Sequence, residues 1–152
     1  MIRCCEYRTI KKIGKGIQGE VFLVEYDGQK ACAKKYYESN HLMQEVLMLQ
    51  AAKESHCVPN LLRVLANTVL MEFIDGITFH KFLSMSPCWL LIHRALVALG
   101  QAIDNVHRTG VVHNDLKFDN IMISFNGPTI KVTLIDFAWA TYSNASPYPH
   151  IS

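Results

Sequence analysis

The chain has 152 residues, half of them apolar, which suits one compact domain with a core of its own. A formal net charge of +2 with 18% charged residues leaves no electrostatic case for nucleic acid or a membrane surface. Five cysteines (Cys4, Cys5, Cys32, Cys57, Cys88), odd in number and without a CxxC pair, point to a reducing, intracellular compartment, with neither a disulfide framework nor a structural zinc site. The longest apolar stretches, near residues 69–74 and 89–103, are too short or too broken by His93, Arg94 and Gln101 to span a bilayer. No signal peptide, internal repeat or low-complexity segment is read.

Residues 7–13 alternate as a strand does and run into Gly14-Lys15-Gly16-Ile17-Gln18-Gly19-Glu20-Val21, and 21–26 read as the returning strand. Three glycines at this spacing let a hairpin turn approach phosphates closely and offer backbone N–H donors. The rival reading, a dinucleotide-binding βαβ turn, needs a helix directly after the glycines. β-branched and aromatic residues follow instead, which favours strand–loop–strand. Asp27-Gly28 is a tight-turn signal, and 29–37 form a third strand. Residues 32 and 34 share one face of that strand while Lys35 points to the other, and a one-residue slip of register would exchange the two lysines.

Residues 40–53 are expected to be helical, with Met43, Val46, Leu47 and Leu49 on an apolar face. Glu45 sits at the edge of that face, a position suited to a partly buried ion pair; the alternative is an exposed helix acid. Residues 61–65 and 68–73 read as strands joined through Ala66-Asn67, and Asp75-Gly76 breaks the chain before a short helix over 78–83. Ser86 as N-cap with Pro87 at the first position starts a long helix over 88–108, stopped by Gly110. Ile92, Leu96, Leu99, Ile103 and Val106 make one apolar stripe on it, and Ala95, Ala98 and Ala102 a second, small-residue face. A helix apolar on two sides expects partners on both. His107, near its end, reads as a cap or surface histidine rather than a catalytic one. Residues 121–124 and 131–135 form a hairpin across Asn126-Gly127-Pro128, and the fourteen residues after Ala138, with Pro147 and Pro149, read as a loosely held tail.

Between the long helix and the hairpin lies Val112-His113-Asn114-Asp115-Leu116-Lys117-Phe118-Asp119-Asn120-Ile121-Met122-Ile123, and sixteen residues after Asn120 comes Ile135-Asp136-Phe137-Ala138. Asp115 can accept a hydroxyl proton and Lys117 can neutralise a migrating phosphoryl group. Asn120 and Asp136 can hold magnesium. These are the parts of a phosphoryl-transfer site; the bland alternative is two polar turns between strands. The hairpin leads Asp136 back toward Asn120, as shared metal coordination requires.

The pattern resembles the eukaryotic-type protein kinases, with elements in the family order from Gly14 to Phe137. The glycine hairpin with Val21 looks like the GxGxxGxV loop. Ala31-Cys32-Ala33-Lys34 looks like the Val-Ala-Ile-Lys strand, whose lysine binds the α- and β-phosphates, and the resemblance puts Cys32 beneath the adenine. Glu45 looks like the helix-C glutamate that pairs with that lysine. Leu49 would join His113 and Phe137 in the regulatory spine. Leu70-Met71-Glu72-Phe73-Ile74 resembles the hinge, Met71 as gatekeeper and Glu72, Phe73 and Ile74 presenting backbone groups to adenine, with Met122 closing the pocket from below. The resemblance implies ATP and magnesium as cofactors, Asp115 as catalytic base, Lys117 at the γ-phosphoryl, and an α+β fold. That fold has an antiparallel-sheet N-lobe (about 1–73) with one helix, a reduced helical C-lobe (about 77–142) ending just after the DFG-like motif, and a tail (143–152), within one domain over 1–152.

The chain also departs from the family pattern. Only eleven residues separate Lys34 from Glu45, so the helix should be trimmed at its start. Asn114 stands where the family has the arginine that reads activation-loop phosphorylation, which implies constitutive activity. Ala138 replaces a glycine, which should restrict flipping of Asp136. Asn114 also resembles the His-Asn-Asp of choline and aminoglycoside kinases, but Lys117 is typical of serine/threonine protein kinases. No activation segment or peptide platform is read after Ala138, so a folded protein substrate is expected, and the tail, a second copy or a partner protein over the long helix. So reduced a form suggests a virus or an intracellular parasite as source. An active serine/threonine kinase is the leading reading; a non-catalytic mimic that inhibits a kinase, and a small-molecule kinase, are the alternatives.

Overall fold

The computed structural model describes residues 7–143. Three strands, β1 (Arg8–Lys15), β2 (Gly19–Tyr26) and β3 (Gln29–Tyr36), follow one another as antiparallel hairpins. After helix α1 (Ser39–Ala51), β4 (Leu61–Val64) and β5 (Thr68–Glu72) complete a five-stranded sheet of order β1-β2-β3-β5-β4. The chain then leaves the sheet through β6 (Ile77–Thr78), α2 (Phe79–Ser84) and α3 (Trp89–Arg108). Strand β7 (Val111–Val112), the hairpin β8 (Ile121–Asn126) and β9 (Thr129–Leu134), and β10 (Thr141–Tyr142) follow. The fold is α+β, a twisted antiparallel sheet with one helix joined to a smaller portion of helices and short strands.

Alternation along β3 builds the sheet's two faces. Ala31 and Ala33 join Val24 and Leu70 in a small outer cluster, while Cys32 and Tyr36 face the main core beneath α1. Helix α1 has no side-chain N-cap bond and no acidic first turn, so its own ends contribute little; it is held by burying Leu42, Glu45, Met48 and Leu49 against the sheet. It starts at Ser39 and stops at Ala51, short of Lys53, where a 3₁₀ turn and a left-handed His56 (φ 57°) redirect the chain.

Three local expectations change. Ser86 does not cap α3: it has φ 52° and its N–H donates to Leu83 O, so it terminates α2. Cys88, extended at φ −67° and ψ 158°, is the N-cap, and the helix begins at Trp89. On α3 the buried side is the small-residue side, Ala95 and Ala102 with Val106, because small side chains allow the close approach of neighbouring strands. Ile92, Leu99 and Ile103 are half-buried, and Leu96 is exposed with Trp89, Leu90 and Val97. Finally, the segment after Ala138 is not loose at its start. Thr141 and Tyr142 pair with Val112 and Val111, and Ser143 N–H donates to Gly110 O at 2.8 Å. Residues 144–152, with Pro147 and Pro149, lie outside the described residues, as do Cys4 and Cys5. Among the described residues no helix is long and apolar enough to cross a membrane.

Candidate active site

Lys34 and Lys35 part as the alternation of β3 requires. Lys34 is 9% exposed and faces α1, while Lys35, on the opposite face, is exposed. Lys34 Nζ sits 3.2 Å from Glu45 Oε1 and 3.0 Å from Asp136 Oδ1. Burial alone would push its ammonium down, but the two carboxylates outweigh that and hold its pKa above the usual lysine value. Glu45 is more buried than its helix-edge position suggests, at 1% exposure. Its Oε1 also accepts the Tyr36 hydroxyl at 2.5 Å, and its Oε2 accepts the Phe137 N–H at 2.5 Å. One carboxylate therefore joins β3, α1 and the segment at Asp136.

The loop after β7 is ordered by His113 and Asn120. The Asp115 N–H donates to His113 Nδ1 at 3.1 Å, so Nε2 carries the ring proton and donates to Ile135 O at 2.6 Å. Burial holds the imidazole below the ordinary histidine range, and its ring meets Phe137 edge-on at 4.7 Å. Asn120 Nδ2 donates to Asp115 O at 2.9 Å and stands 3.4 Å from Asp115 Oδ2. Asn120 O accepts the Ile135 N–H at 3.0 Å, so the two candidate metal residues are held on neighbouring strand ends. Asn114 and Asp136 both adopt left-handed backbone (φ 69° and 64°), a conformation asparagine and aspartate tolerate better than most residues. Asp115 is half-buried, and Lys117 is exposed two residues on.

The glycine hairpin resolves into two kinds of glycine. A Cβ on Gly16 would meet nothing within 4 Å, whereas one on Gly19 would lie 2.0 Å from Lys35 O. Gly19 is required by the backbone of β3, and open space lies over Gly16. Gly14 and Lys15 pair with Val21 and Glu20 across the hairpin. Beneath it, Cys32 pairs in register with Met71, which is buried, and burial pushes the Cys32 thiol up to about 11. Glu72 is tied to Asn60 through both backbone and side chain, Lys30 Nζ lies 5.9 Å from the Phe73 ring centroid, and Ile74 follows half-buried. Met122, half-buried on β8, pairs with Thr78 and Thr133. Surface cavities of about 390 Å³ and 260 Å³ lie elsewhere, one beside Val97 and Ile130 and the other beside Leu49 and Asn60. The site is marked by the convergence of Lys34, Glu45 and Asp136.

Two contributors lay outside the sequence reading. Tyr36 is two residues beyond Lys34, and the same alternation that selected Lys34 puts it on the shared face. Gln44 Nε2 donates to Ala140 O at 2.5 Å, a contact no sequence signal announces.

A buried lysine is thus shared by two carboxylates, and the strand end that carries one of them is hydrogen-bonded to the Asp115–Asn120 loop. Residues 7–151 match the family described as protein kinase domain, and the chain belongs to that family. It is 28% identical over 144 residues to a probable serine/threonine-protein kinase, PknB, of Lactococcus lactis, a match covering 84% of this chain and 23% of the relative. The serine/threonine-protein kinase PknD of Protochlamydia amoebophila is 29% identical, over 93% of this chain and 17% of the relative. The Aurora kinase of Saccharomyces cerevisiae is 28% identical, over 89% and 40%. The chain thus spans less than half the length of the curated relatives it matches.

Proposed function

We propose that the chain is an ATP- and magnesium-dependent serine/threonine protein kinase, active without phosphorylation of its own loop. The observation that carries this reading is the bridge from Lys34 through Glu45 to Phe137 N–H, which ties the phosphate-binding strand to the metal-binding segment. The site fits both cofactors. Lys34 is a buried cation with room above Gly16, and Asp136 and Asn120 supply the oxygen donors magnesium takes alongside phosphates and waters. Magnesium, when bound, neutralises charge on the phosphates. Lys34 would hold the α/β-phosphates, with Glu45 keeping it in place. Asn120 turns its Nδ2 to Asp115, which leaves Oδ1 as the atom able to ligate. Asp115, positioned by that contact and by His113, would orient the substrate hydroxyl and take its proton. Lys117, exposed beside the loop, would stabilise the transferring phosphoryl. Cys32, Met71 and Met122 would enclose the adenine, with Glu72, Phe73 and Ile74 offering backbone groups.

Phosphorylation-independent activity is supported by Asn114. Its Nδ2 donates to Trp139 O at 3.1 Å and to Thr141 Oγ1 at 2.9 Å, so a neutral side chain holds the segment after Asp136. The test is transfer of labelled γ-phosphate to a panel of folded proteins and peptides, with magnesium or with chelator, for wild type and Asp136→Ala. The reading expects magnesium-dependent transfer that is lost in the variant. Transfer equal in both proteins, or absent from both, would refute it.

A further inference from the structure

Glu45 makes one contact that the pairing with Lys34 does not require. The Tyr36 hydroxyl donates to Glu45 Oε1 at 2.5 Å, and Lys34 Nζ lies 5.0 Å from the centroid of the same ring. A single side chain therefore grips both members of the pair, the carboxylate by its hydroxyl and the ammonium by its ring face. Tyr36 is 3% exposed and can make both contacts at once because residues 34 and 36 project from one face of β3.

The backbone beneath it is held on both sides. The Tyr36 N–H donates to Asn67 O at 2.8 Å, Tyr36 pairs in register with Gly19, and the Tyr37 N–H donates to Gln18 O at 2.9 Å. The phenol stays a donor, since burial and then the Glu45 charge push its pKa well above the ordinary tyrosine range. Lys34 has two anionic partners, and one of them, Asp136, is the residue expected to turn to magnesium. Glu45 must then hold Lys34 alone, and its two other donors decide whether it stays in place. Phe137 N–H fixes Oε2 from the Asp136 side, whereas Tyr36 fixes Oε1 from the strand that carries Lys34 itself.

We infer that Tyr36 is a positioning residue for nucleotide binding, holding Glu45 and Lys34 in the geometry that receives the ATP phosphates. This rests on the kinase reading above. It acts through the pair and does not touch the nucleotide, so its loss should weaken ATP binding without changing the phosphoryl-transfer step.

Calorimetric titration with magnesium-ATP tests it on four proteins: wild type, Tyr36→Phe, Glu45→Gln and the double variant, each first shown by thermal melting to be folded at the titration temperature. Tyr36→Phe keeps the ring and its packing and removes only the hydroxyl. It should bind about fivefold more weakly, the effect of one hydrogen bond of average net strength. Its KM for ATP should rise by a similar factor with kcat within about twofold of wild type, since only ground-state and transition-state binding alike are lost. In the Glu45→Gln background the hydroxyl has lost its anionic acceptor, so the double variant should bind as Glu45→Gln does. Tyr36→Phe binding as tightly as wild type would overturn the inference, as would single effects that simply multiply in the double variant, the mark of a packing role. A wild type that binds no magnesium-ATP would overturn the kinase reading itself, a result distinct from either.

Discussion

Replacing Glu45 by glutamine keeps the shape of the side chain and removes its charge and one of its two acceptor oxygens. The native carboxylate receives Lys34 Nζ at 3.2 Å and the Tyr36 hydroxyl at 2.5 Å on one oxygen, and the Phe137 N–H at 2.5 Å on the other. Glutamine can satisfy only one side and must turn its own NH₂ toward donors on the other. At least one buried donor is left unpaired, at a cost of about 1–3 kcal/mol. Removing one partner of a buried ion pair costs about 3–5 kcal/mol, but Lys34 keeps Asp136 at 3.0 Å, so the low end applies. These costs overlap, because the unpaired donor and the broken pair are partly the same contact, and the sum is taken as about 3 kcal/mol. For a domain of this length each kcal/mol moves Tm by about 2–4 °C, so Glu45→Gln should melt about 6–12 °C below wild type. Circular dichroism melting at neutral pH reads this directly. A Tm within about 2 °C of wild type would refute the view that the carboxylate is a buried junction of three elements.

Gly19→Ala should lower stability by about 1–3 kcal/mol, because its Cβ meets Lys35 O, whereas Gly16→Ala should melt as wild type; denaturant titration separates the two. His113 contributes to the pH dependence. The unfolded chain takes up its proton near about pH 6.5, but the buried, folded imidazole resists it. Its contribution is therefore full above about pH 6.5 and lost as the pH falls below that value. His113→Phe should flatten the slope of stability between about pH 6.5 and 5; an unchanged slope would place the acid-sensitive group elsewhere. Asn114→Ala loses two hydrogen bonds and strains a backbone at φ 69°, while Asn114→Gly loses only the bonds. Both should expose residues 139–142 to limited proteolysis, and the alanine variant should be the less stable by about 1 kcal/mol. Protection equal to wild type in both would show that the strand pairing alone holds the segment.

The large elements were legible because their signals are local. Alternation and turn residues placed β1, β2 and β3 within a residue or two, and the same alternation separated Lys34 from Lys35 once the register with β2 and β5 was set. Residues with long-range partners were harder to read. Strands β6 and β10 are two residues each, too short for a period, and exist because β8 and β7 offer them an edge. Gly76 sits where a Cβ would lie 2.2 Å from Ile123 O, a constraint set almost fifty residues away in the chain. Ser86-Pro87 carries a proper helix-start signature, but termination of α2 required a left-handed residue there and shifted the cap to Cys88. On α3 the apolar stripe and the alanine face were both visible, yet only packing could choose the alanine face as the inner one. Lys34, Glu45 and Asp136, which converge, stood out in the sequence by type and order. Tyr36 did not, because a tyrosine on a strand reads as ordinary core until its hydroxyl is seen on Glu45.

If Asp115 acts on a hydroxyl beside a bound nucleotide, Asp115→Asn compared with wild type at saturating magnesium-ATP will separate binding from chemistry. The variant should keep nucleotide affinity within about twofold of wild type and lose at least about a hundredfold in phosphoryl transfer, the scale of a lost general base. Transfer at the wild-type rate with nucleotide bound would contradict that role and take Asp115 out of the chemistry.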